Sequence, residues 1–389
     1  MKKPYIPYGR QSISEADINA VVEVLRSDWL TQGPAIERFE QAVSRYCGVK
    51  YAVAVSSGTA ALHIACMVAG LSQDDVLLTS PNTFVASANC AFYCGARPDF
   101  VDIDPVYYNI DADKLAVKLS AMAEQGRLPK IVLPVHFAGQ SCQMEKIHAL
   151  SREYNFTVIE DACHALGATY KGFRVGSCRF SDMTVFSFHP VKIITTGEGG
   201  IILTNNEEYY ERLLRLRTHG ITRDERFMEG TSEGPWYYQQ TELGFNYRMT
   251  DLQAALGLSQ LDQMDAFITR RRQLAKQYNE ALQNLPLILP QEHSDAKSAF
   301  HLYVIRLKSD KVKKTRAEGF RMLKEKGIGV NVHYIPVHTQ PYYRKLGFSQ
   351  GDFKEAERYY SEALTLPLYP AMTDENQDYV VSSLREVLK

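Results

Sequence analysis

The chain has 389 residues, too many for one compact core, so a large domain and a smaller one are expected. Its 45% hydrophobic and 23% charged residues are the proportions of an ordinary globular protein. A net charge of −1 gives no general pull toward nucleic acid or a membrane surface, so neither is expected as a partner.

The opening MKKPYIPYGR lacks the apolar core of a signal peptide, which leaves a cytoplasmic protein as the expectation. Residues 14–27 predict a helix with a Ser/Asp start and apolar positions at Ile18, Val21, Val22 and Leu25. A loop, DWLTQGP, fills 28–34, and 36–46 predicts a second amphipathic helix. From residue 51 short apolar strands alternate with helices. The strands are YAVAVS, VLLTS, PDFVDI, KIVLPVHF, FTVIED, MTVFSF and GGIILTN; the helices between the earlier ones include TAALHIACMVAG, TFVASANCAFYCG and residues 143–154. This alternation implies an α/β layer with a mainly parallel sheet, in which a ligand sits at the C-terminal ends of the strands. Residues 52–71 carry no charge and could mimic a membrane span, but Ser56, Ser57, Gly58 and Thr59 interrupt them; a strand, a tight turn and a buried helix fit better.

Residues 250–285 predict one long helical segment, with Leu252, Leu256, Met264 and Ile268 on its apolar side. The domain boundary is expected within or just after it, giving a large domain over 1–260 and a small one over 261–389. The run Arg270–Arg272 reads as a solvated helix face. Beyond it, HLYVIRL (301–307), a charged helix (311–326), IGVNVHYI (328–335) and two further helices make a smaller C-terminal α+β domain. The 7 cysteines show no CxxC spacing and read as buried free thiols in a reducing compartment. Cys90 and Cys94 could share a helix face as metal ligands, but no second Cys/His pair lies near them in sequence, so no metal site is expected.

The unusual residues fall at predicted strand ends: SSGT after YAVAV, EDACH after FTVI, and HPVK after MTVFSF. Lys192 follows an apolar run and precedes the turn TTGEGG; a lysine near apolar groups loses its proton readily and attacks an aldehyde. Asp161 alone would read as a helix N-cap for ACHALG. Paired with Lys192 it reads differently. A lysine to hold an aldehyde and an acid to keep a ring nitrogen protonated are what pyridoxal 5′-phosphate (PLP) requires. SSGT at 56–59, between a strand and a helix start, offers backbone N–H groups to a phosphate.

These segments, with DWLTQGP, TFVASAN, LGFNYRMTDLQAALGLSQL and VHYIPVHTQPYY, resemble the DegT/StrS class of nucleotide-sugar aminotransferases over nearly the whole chain. The resemblance implies the fold type I PLP-dependent transferase architecture. It implies that Lys192 is the Schiff-base lysine and proton shuttle, Asp161 the partner of the pyridinium nitrogen, and His164 the contact of the ring hydroxyl. Phe84 would stack on the ring, and Gly58, Thr59 and Ser187 would hold the phosphate. Asn246 would reach that phosphate from the other subunit of a homodimer. Tyr8, Trp29, Leu30 and Thr31 match an N-terminal substrate segment, and His333, Tyr334, Ile335 and Pro336 a C-terminal substrate loop. Within the class, SFHPVK and HYIPVH are most similar to the aminotransferases of pseudaminic-acid biosynthesis. That implies L-glutamate as donor and C4 of a UDP-linked 4-keto-6-deoxy-N-acetylhexose as acceptor, giving UDP-4-amino-4,6-dideoxy-N-acetyl-β-L-altrosamine. Relatives with histidine at the lysine position are dehydratases; here the residue is lysine.

Considered singly, several of these residues have plainer readings. Phe84 reads as a core residue, Asn246 and Arg248 as caps of the helix starting near Thr250, and His333 and His338 as partly exposed loop histidines. Three rival functions stand beside the main one. They are an aminotransferase for another nucleotide-linked keto-sugar (dTDP or GDP, C3 or C4), a cysteine desulfurase, for which no loop cysteine stands out, and a non-catalytic regulator, which has no need of the lysine.

Overall fold

The computed structural model describes residues 5–308 and 310–389. Seven strands form the central sheet: β1 (Tyr51–Val55), β2 (Val76–Thr79), β3 (Arg97–Phe100), β4 (Ile131–Leu133), β5 (Thr157–Asp161), β6 (Met183–Ser187) and β7 (Gly200–Thr204). Their order across the sheet is β1-β7-β6-β5-β4-β2-β3. All run parallel except β7, which is antiparallel to both neighbours, β1 and β6. The strands are short and almost wholly buried, as expected where helices cover both faces.

The helices α1 (Glu15–Arg26) and α2 (Pro34–Cys47) precede the sheet. α3 (Gly58–Val68), α4 (Ala86–Tyr93), α5 (Ala112–Glu124) and α6 (Met144–Tyr154) follow β1 to β4 in turn, and α7 (Glu207–Leu216) follows β7. α1 starts where the sequence places it. Ser14 and Asp17 form a reciprocal capping box, and the buried Asp17 carboxylate also accepts hydrogen bonds from Ser259 (2.6 Å) and Gln260 (2.7 Å). Because β6 and β7 are joined by a loop rather than a helix, β7 turns back beside β6, and Lys192 lies in that loop.

The segment 250–285 is two helices, α8 (Asp251–Asp262) and α9 (Met264–Leu282), rather than one. Gln263 leaves helical geometry (φ −95°, ψ 0°), and its side chain donates to Ser14 Oγ at 3.1 Å. The C-terminal strands Leu287–Ile288, Tyr303–Leu307 and Ala363–Leu366 form a separate antiparallel sheet. It packs with α9 and helices Arg316–Glu325 and Asp374–Val387 around Tyr278, Tyr303, Ile305, Leu364 and Leu384. Ile6 joins this core and pairs with Ile328.

One expectation for this region is corrected. The charged helix starts at Arg316, because Thr315 forms a capping box with Glu318 and so sets its N-terminus. Residues 328–335 are not a strand. Ile328 and Asn331 make single bridges to Ile6 and Thr365, after which the chain turns toward the central sheet. Among the described residues no helix is long and apolar enough to cross a membrane, and residues 52–71 are β1 followed by α3. All seven cysteines are free; Cys47, Cys66, Cys90 and Cys142 are buried. No cluster of metal-binding side chains occurs among the described residues.

Candidate active site

The C-terminal ends of β1, β5 and β6 open into a cavity of about 670 Å³. Tyr8, Gly58, Thr59, Phe84, Asp161, His164, Ser187, Lys192, His333 and Tyr334 all line it. Residues separated by more than 300 positions thus meet at one edge of the sheet, where open α/β sheets hold their ligands.

Asp161 is the last residue of β5, paired with Val185 of β6. No helix follows it, so it caps none; instead its Oδ1 accepts the Cys163 N–H (3.2 Å). Its Oδ2 accepts the Ser87 hydroxyl at 2.6 Å, and Thr83 Oγ1 lies 2.7 Å from that hydroxyl. Asp161 and Ser87 are both buried, so the carboxylate is held in one orientation by donors that water cannot replace. Lys192 lies in the loop between β6 and β7, whose neck is closed by Phe188 N–H to the Gly199 carbonyl (2.9 Å). Burial lowers the Lys192 ammonium below the ordinary lysine range, opposed by Cys163 and Asp161 beside it.

Opposite, α3 begins at the cavity wall. Ser57 is its N-cap, accepting the Ala60 N–H at 3.1 Å, which leaves the first N–H groups of the helix for a ligand. Two glycines make this approach possible. A Cβ on Gly58 would stand 2.9 Å from Ser187 Cβ, and one on Gly200 only 2.5 Å from the Ser57 carbonyl oxygen. The cradle formed by Ser57, Gly58, Thr59 and Ser187 therefore fits a phosphate, and the Asp161–Lys192 pair fits the ring and aldehyde of PLP.

Phe84 is not a core residue. It is 57% exposed on the cavity rim, where its ring is free to cover a flat ligand. Tyr334 stands 6.3 Å from it, ring to ring. The loop bearing Tyr334 is tied to the β2–α4 connection by Val337 N–H to the Pro81 carbonyl (2.9 Å). His164 accepts the Ala138 N–H at Nδ1 (3.3 Å), so its proton lies on Nε2, 3.1 Å from Tyr334 Oη. Burial, then Lys192 and His333, hold His164 well below the usual histidine value. His333 and His338 are buried rather than partly exposed: Thr365 Oγ1 lies 2.8 Å from His333 Nδ1, and Glu357 Oε1 2.9 Å from His338 Nε2. Burial, with Lys192 nearby, pushes His333 down to about 3.

The remaining predicted residues lie outside this cavity. Trp29, Leu30 and Thr31 are exposed, and Thr31 bridges Thr250. Asp251 fixes this segment by accepting the Gly33 and Ala35 N–H groups at 2.7 and 2.9 Å. Asn246 is exposed nearby and bridges Thr218; neither it nor Arg248 caps α8, which is capped by Thr250 with Gln253. Ile335 is 46% exposed and Pro336 buried. The sequence reading missed Ser87 and His301. Ser87 lies within TFVASAN, one helical turn from Phe84. His301 opens HLYVIRL and read only as the start of a strand.

A lysine and a carboxylate at adjacent strand ends, facing a helix N-terminus across a cavity, define a PLP-dependent enzyme of fold type I. The chain belongs to the DegT/DnrJ/EryC1/StrS aminotransferase family, whose sequence model matches residues 11–385. It is thus a PLP-dependent sugar aminotransferase. The spore coat polysaccharide biosynthesis protein SpsC of Bacillus subtilis is 41% identical over 99% of this chain and 97% of its own length. An uncharacterized protein of Methanocaldococcus jannaschii is 41% identical over 100% of this chain and 99% of its own. Among solved structures, Helicobacter pylori PseC, an aminotransferase in pseudaminic-acid biosynthesis, superposes with TM-score 0.89 at 29% identity, covering 99% of each chain. The PMP-form of the putative sugar aminotransferase Spr1654 from Streptococcus pneumoniae gives 0.88 at 29% identity, over 98% of this chain and 97% of its own.

Proposed function

We propose that this enzyme transfers the amino group of L-glutamate to C4 of a UDP-linked 4-keto-6-deoxy-N-acetylhexose, forming UDP-4-amino-4,6-dideoxy-N-acetyl-β-L-altrosamine. The observation that carries the transamination is Lys192, held in the cavity with Asp161 on one side and the α3 N-terminus on the other. The pathway assignment is supported by the likeness to PseC over the full chain. A second reading, amination of another nucleotide-linked keto-sugar, is favoured by the higher identity to SpsC, 41% against 29%.

When bound, PLP supplies the electron sink that lets an amino group pass between a donor and a carbonyl acceptor. Asp161 would hold the proton of the ring nitrogen, with Ser87 fixing the carboxylate. His164 would face the ring hydroxyl and Phe84 the ring plane, while Gly58, Thr59 and Ser187 would seat the phosphate. Lys192, its basicity lowered by burial, moves a proton at its Nζ in each half of the cycle. Tyr8, His333 and Tyr334 would meet the sugar on the side of the C-terminal loop, with Ile335 and Pro336 holding that loop from outside the cavity. Asn246 and the segment Trp29–Thr31 share an outer surface around Thr250, from which they would complete the cavity of a second copy; the working unit is then a homodimer. We assign the two domains to 1–260 and 261–389, with Ile6 packing in the smaller core and Met264, Phe267, Ile268 and Ala299 in the larger, and infer a cytoplasmic enzyme.

The test is incubation of the PLP-loaded enzyme with L-glutamate and a panel of UDP-, dTDP- and GDP-linked 4-keto-6-deoxy sugars, read by mass spectrometry. The expected result is replacement of the keto oxygen by an amine on the UDP-N-acetyl sugar. Reaction of a dTDP or GDP sugar alone would overturn the pathway assignment.

A further inference from the structure

The run Arg270–Arg272 is not a solvated face. Arg270 donates to Asp374 Oδ1 at 2.8 Å, and Arg271 is only 1% exposed. Among the described residues no carboxylate lies within ion-pair distance of Arg271. Its Nη1 donates to the carbonyls of Leu368 (3.0 Å), His301 (3.2 Å) and Phe300 (3.4 Å). Burial pulls Arg271 down to about 10, so it stays cationic at neutral pH. A sealed, unpaired cation is costly, and here it stands directly behind the backbone of His301.

His301 lines the cavity and is 5% exposed. Neither of its ring nitrogens bonds to another described residue; Nδ1 is sealed without a partner, which leaves Nε2 open to the cavity. The other cavity imidazoles differ: His189 is exposed at the rim, and the remaining two are already engaged. His164 is engaged with Ala138 and Tyr334, and His333 with Thr365 and Asn331. The His301 ring packs on His164 with centroids 4.4 Å apart, on the β5 side of the cavity, whereas the phosphate seat closes the β1 side. No arginine lines the cavity, and its one lysine is the residue that carries the cofactor. An anionic amino donor therefore finds, at the β5 end, one free imidazole N–H backed by a buried guanidinium.

We propose that His301, with Arg271 behind it, is the subsite for a carboxylate of the amino donor. Burial, then His164, Lys192 and Arg271, hold the ring well below the ordinary histidine value, so it acts as a neutral N–H donor in the positive field of Arg271. The proposal rests on the glutamate reading above, and its test separates the two.

PLP-loaded wild type, His301→Phe and His301→Gln are compared in three measurements: conversion to the PMP form by L-glutamate alone, calorimetric binding of the unreactive dicarboxylate maleate, and spectral titration with propylamine, an amine without a carboxylate. A lost hydrogen bond to a charged group predicts that His301→Phe needs roughly ten- to hundred-fold more glutamate for half-saturation and weakens maleate by a similar factor. Propylamine should stay within about three-fold of wild type, since it has no carboxylate to lose, and His301→Gln should recover part of both losses. Unchanged maleate and glutamate binding in His301→Phe would overturn the subsite. So would an equal loss for propylamine. A wild type that binds maleate through His301 but is not converted by glutamate would overturn the donor reading and leave the subsite standing.

Discussion

Beside Asp161 on β5, the side chain of Glu160 points to the opposite face of the sheet, and replacing it tests what holds the site's floor. Glu160 is buried, and its Oε2 lies 2.5 Å from His136 Nε2. Its Oε1 accepts the hydroxyls of Ser181 (2.5 Å) and Thr184 (3.0 Å). His136 Nδ1 accepts the Cys142 N–H (3.1 Å), so the His136 proton must sit on Nε2, facing Glu160. His136 also pairs through its own N–H with the Asp161 carbonyl at 3.0 Å. The Glu160→Gln change removes the charge but not the shape. The new amide must turn its oxygen to His136 and its NH₂ to hydroxyls that now have to accept. Three charge-assisted bonds become ordinary or misaligned ones at about 1 kcal/mol each, partly offset by no longer burying a charge, for a net loss of about 2–3 kcal/mol.

For a unit of this size that corresponds to a fall in thermal midpoint of roughly 3–6 °C, measurable by circular dichroism or calorimetry. The pH dependence has a fixed sign. Burial alone would raise the Glu160 carboxyl, but the His136, Ser181 and Thr184 hydrogen bonds outweigh it and hold it below the ordinary glutamate value. A carboxyl lowered in the folded state adds stability above its unfolded value, near about 4.3, and loses it as pH falls through the folded value. The gap between wild type and Glu160→Gln should be flat from neutral pH to about 5 and shrink in more acid solution. Transamination at low temperature should persist, since Glu160 does not line the cavity. An unchanged midpoint at neutral pH, or a gap that widens on acidification, would refute the account.

Three further outcomes follow from the same geometry. Lys192→Ala should lose the yellow colour of the lysine-bound cofactor and at least about 10³-fold of turnover while keeping its circular dichroism spectrum; retained transaminase activity would contradict the assignment of that lysine. Gly58→Ala places a methyl 2.9 Å from Ser187 Cβ, so PLP affinity by fluorescence titration should fall at least about ten-fold with little change in secondary structure. Asp251→Ala frees the Gly33 and Ala35 N–H groups at the start of α2, which should lower stability by about 1–2 kcal/mol in urea melts and loosen the segment bearing Trp29.

Much of the central layer was legible because its signals are local. Short apolar runs mark β1 to β7, Ser14 and Thr250 mark helix starts, and an acid and a lysine just past apolar runs mark the sheet edge that gathers ligands. What failed depends on partners remote in sequence. IGVNV at 328–332 has the alternation of a strand, but the pairing it could make is limited to single bridges with Ile6 and Thr365. Arg270–Arg272 has the look of a charged face, and nothing nearby in sequence announces the carbonyls of Phe300, His301 and Leu368 that accept Arg271. Phe84 reads as core because it is a phenylalanine in an apolar stretch; its exposure follows from the cavity, which periodicity does not reveal.

The cavity's side chains share one electrostatic property that no single motif expresses. Burial lowers Lys192, His164, His301 and His333 and raises Tyr334, so each is pushed toward its uncharged form at neutral pH. The carboxylates of the lining are Asp161, fixed by Ser87, and Glu198 at the exposed rim. Proton traffic in such a site is confined. His164, His301 and His333 are each held below the ordinary histidine value, which favours hydrogen bonding as neutral rings over competing for the proton assigned above to Lys192. A lysine of lowered basicity is better suited than a fully cationic one to the proton transfer proposed for Lys192. The fold therefore contributes more than the meeting of Asp161 and Lys192: it pushes the buried His164, His301, His333 and Tyr334 around them toward their uncharged forms.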